Sequence, residues 1–463
     1  MPSPLTIRSL LGAAAFLAGA AALGSPGVVP PQRRAPAVAA NSDVLHLERR
    51  VRHGPNASSR AGFRSMEGVV DYKSRDAVGP MIVRRRQHGV GGREVWVADD
   101  GEPVAEGVGP AINAYHQIEY MTPVGIGGEE YNLIVDTGSS DTWFVKSGFE
   151  CVNSRRQLVP FEACDFGPVF RGALSGGTSP LVFNITYGSA NGPFLNGEMG
   201  FTDLKVANIS VARQQVALAT DGMWFGDGIS SGILGLGLPA LTASSDGTVG
   251  ADGRARQVPY DPLVATINRQ LASPVFSLAL HRNSSESFIA FGGVPPNAAT
   301  TGVWAATPIE KVWVDGVVDY FYYTALPDAI SFNNSQRALR ASNVPAFIVD
   351  SGTTLNLFPY EIAASINNLF APPGVLDPAQ GAWFVPCDAT PPSLSVTLGG
   401  TVIKTHPSSM ILPEVRDSRG RCASGIGYTD GFPYILGDVF MQNLVTVFDL
   451  GEKKEVRYAE RVF

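Results

Sequence analysis

Two segments of this 463-residue chain share one design, and that repeat constrains the fold more than anything else in the sequence. The first reads Tyr131-Asn-Leu-Ile-Val-Asp136-Thr137-Gly138-Ser139-Ser140-Asp-Thr-Trp143. The second, 214 residues on, reads Ala346-Phe-Ile-Val-Asp350-Ser351-Gly352-Thr353-Thr354-Leu. Each is an apolar run of strand length that ends in Asp, hydroxyl, Gly, hydroxyl. A single tetrapeptide of this kind is an ordinary turn, with the Asp bonded to its own backbone. Two copies, each closing an apolar run of strand length, are much harder to dismiss as turns.

Those residue types suit one chemistry. Hydrolysing a peptide without a metal or a covalent intermediate needs a base to activate water and an acid to protonate the carbonyl oxygen. Two carboxyls about 3 Å apart cannot both ionise, so one shared proton supplies both roles. A glycine after each Asp lets backbone approach the carboxylate where a Cβ would obstruct it. Flanking hydroxyls can donate hydrogen bonds that hold the two carboxyls coplanar.

The rest of the chain fits an ordinary folded protein too long for one core. Hydrophobic residues make up 44% and charged residues 17%, which argues against disorder. With 51 Gly and 34 Pro among many Val, Ile, Thr and Phe, short strands joined by turns are expected. Alternation at Phe321-Tyr322-Tyr323-Thr324 reads as strand, and Ile362, Ile366 and Leu369 predict a helix over Tyr360 to Phe370.

The N-terminus reads as an address and a control segment. Arg8 precedes a 14-residue apolar run, Leu10 to Leu23, followed by small residues. This is the pattern of a cleavable secretory signal, and it is short of the roughly 20 residues of a spanning helix. From Ser25 to Arg93 thirteen Lys or Arg stand against five Asp or Glu, which leaves −16 of charge on residues 94–463. A basic piece beside an acidic body predicts mutual attraction, the alternative being a plain disordered tail. Arg84-Arg85-Arg86 is a candidate processing cut, with the mature start expected between about Gln87 and Pro110. Near the C-terminus, Tyr458 to Phe463 shows no anchor-attachment pattern.

Four cysteines, Cys151, Cys164, Cys387 and Cys422, read as two disulfides in a secreted chain, with three pairings open. The six His are scattered without an HExxH, so no metal and no cofactor is expected. The acidic body argues against a nucleic-acid partner.

Together the two Asp segments resemble the pepsin-like aspartic endopeptidases, in particular their fungal secreted members, from about Ala114 to Phe463. The resemblance implies an all-β, bilobal fold of two mostly antiparallel β lobes with a central cleft. It implies a dyad of Asp136 and Asp350. Thr137 and Ser351 would cross-brace the loops beside Gly138 and Gly352, while Ser139 and Thr353 bond the outer carboxylate oxygens. Phe183-Asn-Ile-Thr-Tyr187-Gly188-Ser189 resembles the substrate-covering flap, with Trp143 as the hydrogen-bond partner of Tyr187. Ile233-Leu234-Gly235 and Ile435-Leu436-Gly437 resemble the segments packed behind each Asp loop, and Phe291-Gly292-Gly293 and Phe448-Asp449 match later landmarks. The same alignment implies the pairs Cys151–Cys164 and Cys387–Cys422.

There are departures. Ala190 stands where the flap tip usually has Gly, Asn191-Gly192-Pro193-Phe194 is inserted, and a third disulfide of animal members is missing. Lys73 is a poor match to the lysine that often pairs with the dyad. Ser189 stands where some fungal relatives carry Asp and accept Lys, so no strong basic preference is expected.

The expected organisation is a signal at 1–24, a pro-segment with its processing region at 25–106, an N-terminal lobe at 107–298 and a C-terminal lobe at 299–463. The expected protein is a monomeric zymogen, inhibited by its own pro-segment, that cleaves polypeptides at acidic pH. It is secreted or held in an acidic vacuole, with no membrane anchor in the mature form. Sequons at Asn56, Asn184, Asn208, Asn283 and Asn333 accord with a secretory route. An inactive peptide-binding homologue is the main alternative, though such proteins typically lose an Asp, a hydroxyl or the flap tyrosine. A glycosidase would not need the duplicated loops.

Overall fold

The computed structural model describes residues 85–88, 94–97, 101–114, 118–188, 192–249, 255–282, 286–314, 317–333, 337–340, 344–378 and 380–462. The expected signal, most of the basic segment including Lys73, and Asn56, Ser189, Ala190 and Asn283 lie outside the described residues.

Both Asp-bearing segments are strands held in the same way. The apolar run of the first lies in Glu129–Asp136, whose last four residues are all buried. Gly232–Gly235 runs parallel to it, with Gly235 opposite Asp136, and antiparallel to Thr142–Cys151. In the second half, Phe347–Val349 runs parallel to Tyr434–Leu436, and Leu357 pairs antiparallel with Ile435. Each Asp loop therefore crosses the end of an Ile-Leu-Gly strand and the chain returns on that strand's other side. Burial on both faces explains why these segments read as unbroken apolar runs and not as alternation.

Around this frame the two halves build their own sheets. The first half forms a ten-stranded sheet between Ile112 and Gln257. The second forms a five-stranded sheet and two four-stranded sheets between Thr324 and Leu436. Where only one face is covered the expected alternation is clean: in Leu394–Leu398 the residues Leu394, Val396 and Leu398 point inward. A six-stranded sheet takes three strands from each half, in the order Thr300–Pro308, Glu455–Arg461, Leu444–Asp449, Val275–Ala279, Phe288–Phe291, Gly107–Pro110. At its centre Phe276 pairs with Phe448, the rings stacked 4.5 Å apart, and Tyr323 packs 4.6 Å from Phe448. This shared sheet fastens the lobes beneath the Asp loops. The resulting architecture is the bilobal, mostly antiparallel β fold expected of a pepsin-like chain.

Two local expectations are refined. The helix covers Tyr360–Asn367, and the next two residues continue in tighter turns, with the Leu369 and Phe370 N–H groups donating to Ile366 and Asn367. Asn367 is itself buried and its amide donates to the Ala363 and Ile426 carbonyls, which anchors the helix end to a strand. Phe321 to Thr324 is not an alternating strand. All four side chains are buried and only Thr324–Ala325 pairs, because this segment enters the inter-lobe core.

Cys151 is bonded to Cys164 and Cys387 to Cys422. No helix among the described residues is long and apolar enough to cross a membrane.

Candidate active site

The local sequence of each loop sets the bonds to its own carboxylate. The Gly138 N–H donates to Asp136 Oδ1 at 2.8 Å, and the Ser139 hydroxyl donates to Asp136 Oδ2. In the second loop the Gly352 N–H donates to Asp350 Oδ1 at 2.8 Å and the Thr353 hydroxyl to Asp350 Oδ2 at 2.7 Å. Asp, any hydroxyl residue, Gly, hydroxyl is thus the shortest sequence that offers an i+2 amide and an i+3 hydroxyl to one carboxylate.

The lobes bring the two loops together. The Thr137 N–H donates to Ser351 Oγ at 3.2 Å, and the Ser351 N–H donates to Thr137 Oγ1 at 2.9 Å. Each hydroxyl then donates across to the opposite strand: Thr137 Oγ1 to the Val349 carbonyl at 2.9 Å, and Ser351 Oγ to the Val135 carbonyl at 2.7 Å. A Cβ on Gly138 would fall 2.5 Å from Asp350 Oδ1, and one on Gly352 would run into Asp136 Oδ1. Each glycine therefore seats its backbone against the other loop's carboxylate, which brings the Asp136 charge to bear on Asp350.

Both acids are fully buried. Burial pushes the Asp136 carboxyl up, against the opposing hydrogen bonds of Ser139 and Gly138. Burial raises Asp350 well above the usual carboxylate range, and the neighbouring Asp136 charge adds to it. Such a pair titrates as one unit that gives up its two protons in separate steps. Chemically it can present an ionised and a protonated oxygen side by side.

The flap segment lies over the first loop. Strand Thr178–Thr186 pairs with Phe194–Val206, and the Tyr187 N–H donates to the Pro193 carbonyl at 2.9 Å, closing the hairpin. Tyr187 is fully buried, and its hydroxyl accepts from the Trp143 indole N–H at 2.7 Å and bonds to Ser139. Trp224 packs edge-on against both rings, at 5.3 Å from Trp143 and 5.5 Å from Tyr187. Gly188 is exposed with φ of 71°, a conformation that favours glycine at the turn. Of the sequon residues, Asn184 is exposed on the flap strand, where its amide bonds Asn196. Asn208 is exposed and bonds the Val108 carbonyl, and Asn333 sits half-buried in a turn.

Several acidic groups escaped the sequence reading. Asp438 is buried and raised well above its ordinary value by burial and by the Asp350 and Asp136 charges. It directly follows Ile435-Leu436-Gly437, a segment read only for packing. Asp141, two residues before Trp143, is pushed by burial up to about 7 although it accepts from the Tyr260 hydroxyl and the Ala243 N–H. Glu119 is buried beside Asp227, and burial lifts it well above its ordinary value, with the Asp227 charge adding to the rise. Position along the chain gives no signal for these groups. Only their shared burial around the two loops does.

Comparison with known proteins follows the same lines. The eukaryotic aspartyl protease family matches residues 119–461. A probable aspartic-type endopeptidase of Aspergillus fumigatus is 34% identical over 369 residues, covering 77% of this chain and 79% of its own. Human gastricsin is 28% identical over 358 residues, covering 74% and 81%. An aspartic proteinase of Irpex lacteus has the same fold, with a TM-score of 0.59 at 20% identity over 77% of this chain and 98% of its own. The chain belongs to the eukaryotic aspartyl protease family, as a pepsin-like aspartic-type endopeptidase acting on polypeptides.

Proposed function

We propose that Asp136 and Asp350 are the catalytic pair of this endopeptidase and that they hold one proton between them. Burial and the Asp136 charge favour that proton on Asp350. A water seated between the two carboxyls gives its proton to the ionised oxygen as it attacks the scissile carbonyl. The other carboxyl protonates the carbonyl oxygen, and no acyl-enzyme forms. The observation that carries this reading is reciprocal: each glycine's backbone abuts the opposite carboxylate, and four hydrogen bonds between Thr137, Ser351 and the Val135 and Val349 carbonyls brace the approach. Tyr187 and Gly188, with Trp143 holding the Tyr187 hydroxyl, belong to the substrate-covering side, and Ser189, which lies outside the described residues, is expected to continue it.

Such a pair needs one proton aboard, so activity belongs to acidic pH. Attraction between the basic segment 25–93 and the acidic remainder of the chain near neutrality is the proposed source of inhibition. Acid weakens that attraction as carboxylates protonate, which makes the full chain a zymogen. The enzyme works as a monomer, outside the cell or in an acidic vacuole. Glycans at Asn184, Asn208, Asn283 or Asn333 accord with that route, and one at Asn184 would stand beside the cleft.

The test uses Asp136→Asn and Asp350→Asn with denatured protein as substrate at acidic pH. Each variant loses turnover while keeping its fold by circular dichroism. Turnover retained by either variant ends the assignment.

A further inference from the structure

The chain upstream of the first Asp lobe is tied into the body earlier than the expected boundary at residue 106. In the six-stranded sheet, Arg457 is buried and its guanidinium meets three carboxylates. Nη2 donates to Glu102 at 2.8 Å, and Nη1 donates to Asp449 at 2.9 Å and to Glu455 at 3.1 Å. The Glu102 side chain is only 5% exposed. Glu102 and Arg457 are 355 positions apart, so this contact clasps the N-terminal segment to the last strand of the second half.

The residues that follow Glu102 are held at almost every step. The Val294 N–H donates to the Pro103 carbonyl at 2.7 Å, and the Ala105 N–H returns to the Val294 carbonyl at 3.1 Å. The Glu106 N–H donates to the Phe291 carbonyl at 2.8 Å, and the Glu106 carboxylate accepts from the Ala272 N–H at 2.7 Å. Gly107–Pro110 then pairs with Phe288–Phe291 as the sheet's edge. The packing is close: a Cβ on Gly293 would overlap the Pro103 carbonyl, and one on Gly107 would fall 2.5 Å from the Ala207 oxygen. Gly101, by contrast, is exposed and has φ of 86°.

We propose that proteolytic maturation stops upstream of Glu102. The active enzyme then keeps the strap from Glu102 to Pro110 as part of its body. A protease must take its substrate as an extended, unpaired segment, and the strap's backbone groups are already used by the sheet. Cutting within it would also strip the buried Arg457 Nη2 donor of its partner, while Asp449 and Glu455 still neutralise the guanidinium. The stretch between Arg86 and Glu102 contains the paired strands Arg85–His88 and Glu94–Val97, but that two-stranded hairpin joins no other sheet among the described residues, so hydrolysis there, each cut yielding a new carboxylate and a new amine, leaves this clasp intact. Residues up to Gly101 then belong to the processing region, and the enzyme proper starts several residues before position 107.

The inference rests on the zymogen reading, and one experiment separates the two. The full chain is produced in a secreting host and acidified, and the active species is characterised by N-terminal sequencing and intact mass. An N-terminus between residues 87 and 102 is expected. An active species that starts at 103 or later overturns the inference alone. An active species that starts at the signal cleavage point removes the zymogen reading, and the inference falls with it. Glu102→Gln supplies the second arm. It should add shorter species beginning between 103 and 107 and lower the thermal midpoint by roughly 5 °C. An N-terminus and midpoint equal to those of the parent protein refute the role of Glu102 as the stop. If the variant is not secreted, the parent N-terminus alone decides.

Discussion

Replacing Ser351 by Ala removes one oxygen from the brace between the Asp loops, and its cost can be worked from the bonds it makes. Ser351 Oγ accepts from the Thr137 N–H at 3.2 Å and donates to the Val135 carbonyl at 2.7 Å, both in buried surroundings. Alanine removes the side-chain partner of that amide and that carbonyl, at about 1–3 kcal/mol each, so a loss of roughly 2–6 kcal/mol is expected. The same bonds hold the loops at the spacing that brings Asp136 against Asp350. A loosening of about 1 Å in a reacting pair costs on the order of 100-fold in rate, so kcat should fall by about that factor while KM changes little. Ser351→Thr keeps the hydroxyl and adds one methyl in buried surroundings, so it should cost less than the alanine variant and retain far more turnover. Urea unfolding gives the first quantity, and turnover of a fluorogenic peptide by the same preparations gives the second. A stability loss under about 0.5 kcal/mol together with kcat within about twofold would refute the reasoning, because the brace would then carry neither stability nor geometry.

Two further predictions follow from other parts of the fold. Burial holds Asp141 up to about 7, whereas in the unfolded chain it titrates near about 3.9. The native state therefore keeps its proton over that window, so this contribution is present below about pH 4 and is lost as pH rises to about 7. Asp141→Asn should narrow the difference in thermal midpoint between those two pH values, and an unchanged difference would exclude Asp141 as a source. The disulfides close loops with separations of 13 and 35 residues. On the chain-entropy account, removing Cys151–Cys164 should cost about 3 kcal/mol and removing Cys387–Cys422 about 4 kcal/mol. Paired Cys→Ser variants in urea unfolding check the ranking, and a larger loss from the shorter loop would contradict it.

The site was more legible in the sequence than most of the fold because its inner bonds are local. Asp136 is served by Gly138 and Ser139, and Asp350 by Gly352 and Thr353, across two or three residues. A tetrapeptide read by eye contains that chemistry. The helix at Tyr360 was legible for the same reason, since helical spacing is a short-range signal. The segment Phe321 to Thr324 misled because its apolar-polar alternation says nothing about a core approaching from both sides, and all four side chains are buried.

By itself, then, the sequence determined which residues could form the two carboxylate loops and that they occur twice on matching strands. Only the tertiary structure decided that the loops meet. The Thr137–Ser351 bonds span 214 positions, and Glu102 reaches Arg457 across 355. It also decided which other acids share the buried surroundings, since Asp141, Glu119 and Asp438 owe their raised pKa values first to burial. Desolvation is a property of everything packed around a group, and no short stretch of residues can encode it.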